Sequence, residues 1–594
     1  MQHTACGLDC YDGCSIVYDN DKITGDKLHP ITQGALCANI NTNILKAPRI
    51  TTPMINGKKV SIQEALEYVA NKINDKTLLW RGSGNVAVMQ EVTNLLIDKI
   101  GGTITKGSLC DGAGEAGILE GRGVNLTLPL EQIAKSEVVV IWGRDATVTN
   151  RHILPFIKNK KIIVIDPIKT KIAKSAHLHI QLAPRSDFYL AILLARFIFM
   201  EELYDKEWLN EFSSDYEEYY DFVRTFRIKA LLALIDTNLD TIGEMLSILE
   251  GKKVVFLVGA GVQRYSIGNE VLRAIDALAA LLGLFGKEGC GVSYLGDSKL
   301  GFKNPFAIEA KRVSKVDTPF DKFDSVIIQG GNPCESMPNT NEVINRLGKV
   351  KDIVYFGLYE NETSKRANII IPAKNFFEKD DIRLTYGHSY ISKINKIKEC
   401  DFGISEYDLT KEIFELKGFD GLKSEEYYLN YWLDQCEKIG DVFLSKAYKE
   451  FPYSDGFGKD EDEDFVFLDD HDDDFIERKK LMRPEECKSI SKEENYFWLL
   501  NGKSNDSLNT QFEKSDKVIL HPDLGFCDDE AVLISSKYGE IILRVKNSTD
   551  IRRDCVKITA NTIGVNKLTP PIISNEGHNA CYGEVKVSLS KVLI

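Results

Sequence analysis

Four cysteines near the start of the chain have the clearest capacity for chemistry. The segment CGLDCYDGC places Cys6, Cys10 and Cys14 four positions apart, and Cys37 follows in GALCAN. Three thiols in one loop with a fourth from elsewhere suit a cubane iron–sulfur cluster, whereas structural zinc usually takes two separated cysteine pairs. The spacing favours the cluster over zinc and leaves both open. Disulfides rank third, because a reducing compartment disfavours them.

A fifth cysteine, Cys110, lies in GSLCDGAGEAG, a segment of small residues. No histidine is near it in the sequence to activate it as a nucleophile. The small neighbours would let a large group approach, as a soft thiolate ligand to a metal requires. From local sequence alone, an inert thiol is nevertheless the preferred interpretation.

Glycine-rich turns follow several apolar runs, in WRGSGN, VGAGVQRYSIG and QGGNP. Glycine also simply ends strands, but the repetition suggests phosphate or nucleotide contacts at the carboxyl ends of a sheet. In IVIDPIKTK, Asp166 would bond a ribose hydroxyl and Lys169 or Thr170 a phosphate, although Asp166 as a cap or turn former is the alternative. No G-x-G-x-x-G precedes a helix, so a standard NAD site is poorly supported.

The elements that must position these residues are short strands alternating with amphipathic stretches. Such alternation predicts parallel sheets with helices on both faces. From about residue 495, short strands separated by turns predict an all-β domain, a barrel. The predicted sheet strands lie within 138–144, 161–167, 252–261, 324–333 and 352–358, with a helix over 270–286.

Composition excludes several classes of protein. The chain has 594 residues, 43% hydrophobic and 27% charged, with a formal net charge of −14. Its length predicts about three to five domains. An acidic surface repels phosphate backbones and anionic lipids, so neither nucleic acid nor a membrane is expected as a primary partner. No apolar stretch of transmembrane length and no export signal is present, so we expect a cytoplasmic location without membrane insertion.

Several segments together resemble the molybdopterin oxidoreductases of the dimethyl-sulfoxide-reductase type, a family that includes formate dehydrogenases, nitrate reductases and polysulfide reductases. The resemblance covers nearly the whole chain apart from about 401–494. It is carried by CGLDCYDGC with GALC, VVVIWGRDATVTNRHILPFI, IVIDPIKTKIAKSAHLHIQLAPRSD, GAGVQRYSIGNEVLRAIDALAALLGLFGKEGCGV, GGNPCESMPN with ENETSKRANIIIPAKNFFEK, and the C-terminal LLNGKSNDSLNTQF, VILHPD and VNKLTP.

The resemblance implies an α/β multidomain fold. An N-terminal iron–sulfur domain would span 1–52, and interleaved parallel-sheet α/β core domains 53–400, with an inserted Rossmann-like domain at about 120–300. A variable acidic insertion or linker would span 401–494, including the dense acidic run at 458–478, which we interpret as a solvated loop. A molybdopterin dinucleotide-binding β-barrel of the double-psi type would span 495–594.

The resemblance also implies the cofactors: two molybdopterin guanine dinucleotides around one Mo or W, and one [4Fe-4S] cluster. Cys6, Cys10, Cys14 and Cys37 would ligate the cluster, and Cys110 the Mo or W as the catalytic ligand. One guanosine end would contact Asp166, Thr170 and Asp187, and the cleft turn would contain Gly259 and Gly261. The remaining implied contacts are Asn332 for the other cofactor half, and Lys503, Asn509 and Asn566 for pterin or phosphate groups.

Three positions depart from the family pattern. Members often have Lys or Arg two residues after the fourth cysteine, where this chain has Asn39. Asp145 and Ala146 replace the usual Asn-Pro. Asp111 follows Cys110 where formate dehydrogenases resemble one another in having His, which argues against formate as the substrate.

The preferred function is a molybdenum- or tungsten-dependent oxidoreductase acting on a small substrate. Electrons would pass through the cluster to a separate electron-transfer subunit or carrier, because no flavin or ferredoxin-like segment is visible. Two alternatives stay open: a non-catalytic iron–sulfur subunit resembling the large subunit of respiratory complex I, and a non-redox hydratase on the same fold.

Overall fold

The computed structural model describes residues 1–439, 442–458, 463–468 and 495–592. Most of the acidic run predicted at 458–478, and the rest of the predicted insertion up to residue 494, lie outside these ranges. Within them, no helix combines the length and the apolar character needed to cross a membrane. The cytoplasmic location stays a prediction.

A five-stranded sheet, counted over the described residues, is parallel throughout, as predicted. Val138, Val140 and Trp142 pack into the core on one face, and Val139 and Ile141 pack into the core on the other. Both faces are therefore covered by helices, which explains the continuous apolar runs. In spatial order the strands are Leu178–Ile180, Lys161–Ile165, Val138–Trp142, Val254–Val258 and Gly291–Ser293.

An eight-stranded sheet, again counted over the described residues, has six parallel strands followed by two antiparallel edge strands. Helices also cover both of its faces, with separate cores on each side. In spatial order the strands are Lys311–Ser314, Thr103–Lys106, Thr77–Arg81, Ser325–Gln329, Asp352–Gly357, Ile369–Pro372, Met54–Ile55 and Lys58–Lys59.

The helices alternate with these strands along the chain. The predicted helix over 270–286 is confirmed as Gly268–Leu281. It packs against Asp187–Met200 beneath the five-stranded sheet, and both helices are buried along most of their length. The other helices of six or more residues, among those described, are Ile62–Lys72, Thr93–Ile100, Gly112–Arg122, Leu130–Lys135, Lys206–Phe212, Tyr216–Arg224, Ile228–Ile235, Leu239–Leu249, Thr340–Leu347, Glu406–Lys417 and Glu425–Leu433.

The chain begins with a small antiparallel sheet of Gln2–Ala5, Ser15–Asp19 and Lys22–Gly25. The cysteine-bearing loop joins the first two of these strands. After the core, a second small sheet contains Asp381–Arg383, Tyr390–Ile394, Val442–Ser445 and Cys436–Ile439.

The predicted C-terminal barrel is confirmed. Six strands close on themselves in the described residues, and two of the strand pairs are parallel. Alternate side chains of these strands fill the barrel interior. In spatial order the strands are Phe497–Gly502, Cys555–Thr559, Lys517–Leu520, Gly539–Asn547, Ala531–Ser536 and Lys586–Lys591.

A buried ion pair anchors the helix that follows Cys110. Arg122 ends this helix and donates from Nε to the Asp276 carboxylate at 2.7 Å, with a second bond from Nη2. Both side chains are at most 1% exposed. The pair ties Gly112–Arg122 to the middle of Gly268–Leu281, so it positions the segment that carries Cys110.

Asp276→Ala should therefore destabilise the protein by about 3–5 kcal/mol, because it leaves Arg122 charged and buried without a partner. Denaturant unfolding monitored by circular dichroism measures this. The matched control is Glu342→Ala, which breaks the exposed Glu342–Arg346 pair and should have a much smaller effect. Arg122→Met combined with Asp276→Leu should restore most of the loss, and equal losses in the single variant and the control would contradict the argument.

Candidate functional site

Two cavities meet at Cys110. The larger measures about 780 Å³ and the smaller about 200 Å³. Seven residues line both: Cys110, Arg264, Leu295, Tyr386, Asn501, Lys503 and Tyr582. The Cys110 loop, the barrel and the α/β core thus contribute to one composite site.

The larger cavity lies at the switch point of the eight-stranded sheet. Chain connections run in opposite directions from the adjacent strands Thr77–Arg81 and Ser325–Gln329, so the turns after them separate and leave a crevice. A β carbon on Gly331 would overlap the Trp80 ring, so only glycine fits there.

The smaller cavity lies at the switch point of the five-stranded sheet, between Val138–Trp142 and Val254–Val258. Gly143 follows the first strand with φ +59°, a conformation that favours glycine. A β carbon on Gly259 would overlap the Gly143 carbonyl. The close approach of the two turns therefore requires glycine at both places.

The nine predicted cofactor contacts all line one or both cavities. Their roles toward a cofactor stay predictions. Asp166, Thr170, Asp187, Gly259 and Gly261 line the smaller cavity, Asn332, Asn509 and Asn566 the larger, and Lys503 both.

Two of these carboxyl groups are unusually easy to protonate. Burial raises the pKa of Asp166 to about 7, even though it accepts a bond from the Ile168 amide at 2.8 Å. Burial raises the pKa of Asp187 to about 6, opposed by the Trp142 indole N–H at 2.8 Å. The Ile168 bond also makes Asp166 a turn former, the alternative considered from the sequence.

All three predicted asparagines already have protein partners for their amide groups. Asn332 donates to Glu335 at 2.6 Å and accepts from Thr363 at 2.8 Å. Asn566 donates to the Glu335 carbonyl at 2.8 Å. These two side chains hold the cavity wall in place, while Asn509 donates to Asp9 at 3.1 Å.

The Cys110 loop follows the strand Thr103–Lys106 and is held from both sides. Ser108 Oγ accepts from the Cys110 amide at 2.9 Å, and Gln263 donates to the Cys110 carbonyl at 2.5 Å. Burial, then Asp111, raises the pKa of the thiol to about 12, while Lys503 and Arg264 act to lower it. Such a thiol is poorly activated as a free nucleophile, and it would ionise on binding a cation.

The N-terminal cysteine loop is compact. Burial, then the charge of Cys37, raises the pKa of Cys6 to about 12. Burial likewise raises the pKa of Cys10 and Cys14, with the other cysteines of this group adding to the effect. The thiols therefore stand close enough to repel one another as thiolates. Within the described ranges, no three His, Cys, Asp or Glu side chains converge on a single metal ion.

A charged network surrounds this loop. His152 Nδ1 donates to Asp12 at 2.9 Å and Nε2 to the Ala35 carbonyl at 3.1 Å, with Cys14 Sγ 3.9 Å away. Burial lowers the pKa of His152, but the bond to Asp12 outweighs it and the net shift is upward. Both ring nitrogens face acceptors, an arrangement that favours the protonated imidazole.

Asn39 does not reproduce the charge expected after Cys37. It begins the turn Asn39–Asn43, which contains no basic residue, and its Oδ1 accepts from Asn43 Nδ2 at 2.8 Å. The sequence-based doubt at this position therefore persists in the structure.

Sequence reasoning missed several charged residues at the cavity walls, among them Arg144, Lys315 and Asp9. Burial, then the charge of Arg81, lowers the pKa of Lys315 to about 8, and its ammonium lies 5.3 Å from the Trp80 ring centroid. A signal existed for Arg144 and Lys315, since each lies just past the carboxyl end of a parallel strand.

The cavity walls carry buried polar atoms that lack a partner in the described residues: Trp80 Nε1, Arg144 Nε and Nη1, Asn501 Oδ1 and Gln511 Oε1. Buried polar atoms are nearly always hydrogen-bonded in folded proteins. Their concentration at this site, with both donors and acceptors present, fits a large polar ligand such as a pterin nucleotide.

Comparison with known proteins decides the family. The model of the molybdopterin oxidoreductase family matches residues 49–406, more than half of the chain. This chain belongs to that family. Among its relatives are a probable oxidoreductase, YyaE, of Bacillus subtilis, 26% identical over 67% of this chain and 66% of the relative, and the dimethyl sulfoxide/trimethylamine N-oxide reductase of Rhodobacter capsulatus, 23% identical over 54% of this chain and 48% of the relative.

The molybdopterin oxidoreductase fold extends over the whole chain. The structure of acetylene hydratase from Pelobacter acetylenicus superposes with a TM-score of 0.77, covering 100% of both chains at 15% identity. This chain spans 66% of the length of YyaE and 48% of the length of the Rhodobacter reductase.

In this member of the family, acid should loosen the cysteine loop through His388. His388 is 4% exposed; its Nε2 donates to the Asp12 carbonyl at 3.0 Å and its Nδ1 accepts from the Tyr390 amide at 3.2 Å. Burial lowers the pKa of His388 to about 3. The folded state therefore favours the neutral ring, and stability present above pH ~6.5 is lost as the pH falls toward 3.

The apparent melting temperature should fall as the pH drops from 7 to 5, and His388→Gln should flatten this dependence. It should not abolish it, because burial also lowers the pKa of His29 to about 4. His3→Gln is the control, since that ring is half exposed. Identical pH profiles for the His388 variant and the parent would contradict the assignment.

Proposed function

We propose that this protein is a molybdenum- or tungsten-dependent oxidoreductase that binds two molybdopterin guanine dinucleotides, one in each cavity. The supporting observation is the arrangement itself: two switch-point cavities in two parallel sheets share a wall at Cys110. Switch points are where α/β sheets bind nucleotides. A single nucleotide would need only one of them.

Cys110 is proposed as the metal ligand. Its raised pKa means that the thiolate needs a cation to form, and Lys503 and Arg264 lower the cost of forming it. When bound, the metal would supply two-electron exchange with a small substrate. The loop contacts from Ser108 and Gln263 then keep the sulfur in place.

Residues of this chain would orient the substrate beside Cys110. Lys315 faces the larger cavity, and its charge interacts with those of Asp111 and Asp9. Asp9 is itself held by the Tyr386 hydroxyl at 2.9 Å. With Asp111 after Cys110 instead of histidine, formate stays disfavoured as the substrate, and the substrate is proposed only as a small molecule.

The N-terminal loop is proposed to hold one [4Fe-4S] cluster in a domain of residues 1–52. The four cysteines would repel one another as thiolates, and a cationic centre between them would offset that repulsion, which supports a metal site. In a cubane each cysteine binds its own iron, so the sulfurs stand farther apart than the ligands of one zinc ion. The cluster is preferred to zinc for the spacing of the cysteines, three in one loop and a fourth from elsewhere.

Electrons would leave through this cluster to a separate electron-transfer subunit or carrier. The remaining predicted boundaries, 53–400 for the core, 401–494 for the insertion and 495–594 for the barrel, are part of the same proposal. An iron–sulfur scaffold without molybdenum and a hydratase are the alternatives, and metal content separates the first from the proposal.

Purified protein should contain about four iron atoms and about one Mo or W atom per chain. Cys110→Ala should abolish turnover with viologen dyes and leave the EPR signal of the reduced cluster unchanged, because only the Mo or W ligand is lost. Iron without Mo or W would favour the scaffold, and full turnover in the variant would contradict the ligand assignment.

Cys14→Ala should instead eliminate that EPR signal and lower the iron content. Cys436→Ala is the control for both cysteine variants, since Cys436 lines neither cavity and its thiol donates to the Trp432 carbonyl. A Cys14 variant that keeps its iron and its signal would refute the cluster.

A further inference from the structure

Arg144 is a buried cation with no ion-pair partner among the described residues. Arg144 is 5% exposed. It comes directly after Gly143, which follows the strand Val138–Trp142. Nη2 donates to Asn150 Oδ1 at 2.7 Å, while Nε and Nη1 have no hydrogen-bond partner among the described residues. The residue lines the smaller cavity.

Burying the Arg144 guanidinium without an anionic partner costs folding free energy, unless a ligand in the cavity supplies the anion. Arg122, which is equally buried, has the carboxylate of Asp276 as its partner. No such ion pair to Arg144 exists in the described part of the chain. Because a buried guanidinium normally has an anionic partner, the missing partner is expected in the ligand.

The two switch points differ at this position. Gly143 and Gly330 each follow a central strand with a positive φ, at +59° and +56°. The next residue is Arg144 at the smaller cavity and Gly331 at the larger one. The smaller cavity therefore carries a charge that the equivalent turn of the larger cavity lacks.

The rest of the smaller cavity also favours an anion. Arg264, Lys503 and Lys557 line it. Two of its acids, Asp166 and Asp187, have raised pKa values, about 7 and about 6 because of burial, which weakens their negative charge near neutral pH. A guanidinium with unpaired N–H groups on two of its nitrogens can donate to the oxygens of an oxyanion.

Arg144 is also in contact with the cysteine loop. Its Cζ lies 4.1 Å from the centroid of the Tyr11 ring, between Cys10 and Asp12 in the sequence. Its partner Asn150 in turn donates to Asp12. Two routes, one through stacking and one through hydrogen bonds, thus join the guanidinium to the loop that holds three of the four clustered thiols.

We propose that Arg144 is a positioning residue with two linked roles: its unpaired N–H groups bind a phosphate-type oxyanion of the ligand in the smaller cavity, and its charge stabilises the reduced cysteine-bound cluster. This rests on the proposed function for the identity of the ligand and cluster. The positive charge that is missing at Asn39 would then come from the turn after the strand Val138–Trp142.

Arg144→Met removes the charge at similar side-chain length. Arg144→Lys keeps the charge but loses the planar set of guanidinium N–H donors. GMP released by acid hydrolysis should fall about twofold in the Met variant, from two per chain toward one, because only one cavity is affected. The midpoint potential of the cluster, followed by EPR, should shift downward in Arg144→Met and much less in Arg144→Lys, because a nearby cation favours the added electron.

Arg151→Met is the matched control, an exposed arginine of the same segment that contacts Thr147 and Asn505; it should change neither readout. Iron content shows that each variant has folded. Should the Met variant fail to fold, Arg144→Gln replaces it. Unchanged GMP content would overturn the oxyanion site, and an unchanged potential would overturn the role toward the cluster.

Failure of the proposed function is recognised separately, as parent protein that releases no GMP or holds no iron. In that case the oxyanion site is tested by calorimetry with inorganic pyrophosphate. Binding should weaken about tenfold or more in the Arg144 variant, as expected for losing hydrogen bonds to a charged group, and equal affinity for parent and variant would overturn the site.

Discussion

The site depends on one geometric constraint, the divergence of chain connections at the switch point of a parallel sheet. Each sheet satisfies its backbone hydrogen bonds within the ladder up to the strand ends, and the turns beyond them must separate. Within the described residues there are two such points, after Val138–Trp142 and after Ser325–Gln329. Glycines at each, Gly143, Gly259 and Gly331, let the turns approach closely enough that the crevices stay narrow.

A composite site requires the domains around it to keep their relative positions. Buried ion pairs contribute to this: Arg122 with Asp276 beside the Cys110 helix, and Lys379 with Glu406 beside the larger cavity. Neither pair adds much net stability, because the desolvation of two charges offsets much of their attraction. Each instead makes one relative placement of its two elements far better than the alternatives, since any other leaves a buried charge unpaired.

The strands and the family could be predicted from sequence because β-branched runs ending in Gly or Asp report strand ends, and ligand-binding residues follow those ends. Asp166 and the Gly259 turn were picked out in this way and line the smaller cavity, whereas Asn332 came from the family resemblance and lines the larger one. Lateral strand order was not predictable: Lys311–Ser314 pairs with Thr103–Lys106 across about two hundred residues, and only that pairing brings Lys315 to the Cys110 cavity. The contact of Arg144 with Tyr11 was hidden for the same reason, since nothing local to either segment encodes it.

Charge at the junction between the cysteine loop and the cavities follows from these long-range pairings. The turn after Cys37 is neutral at Asn39, while Arg144 and His152 approach the same loop from the five-stranded sheet. A cation near a cluster needs only to be close and poorly solvated, and its position along the sequence does not matter. The electrostatic requirement can therefore be met from either side of the loop, and a missing basic residue at one position is weak evidence that the electron route is absent.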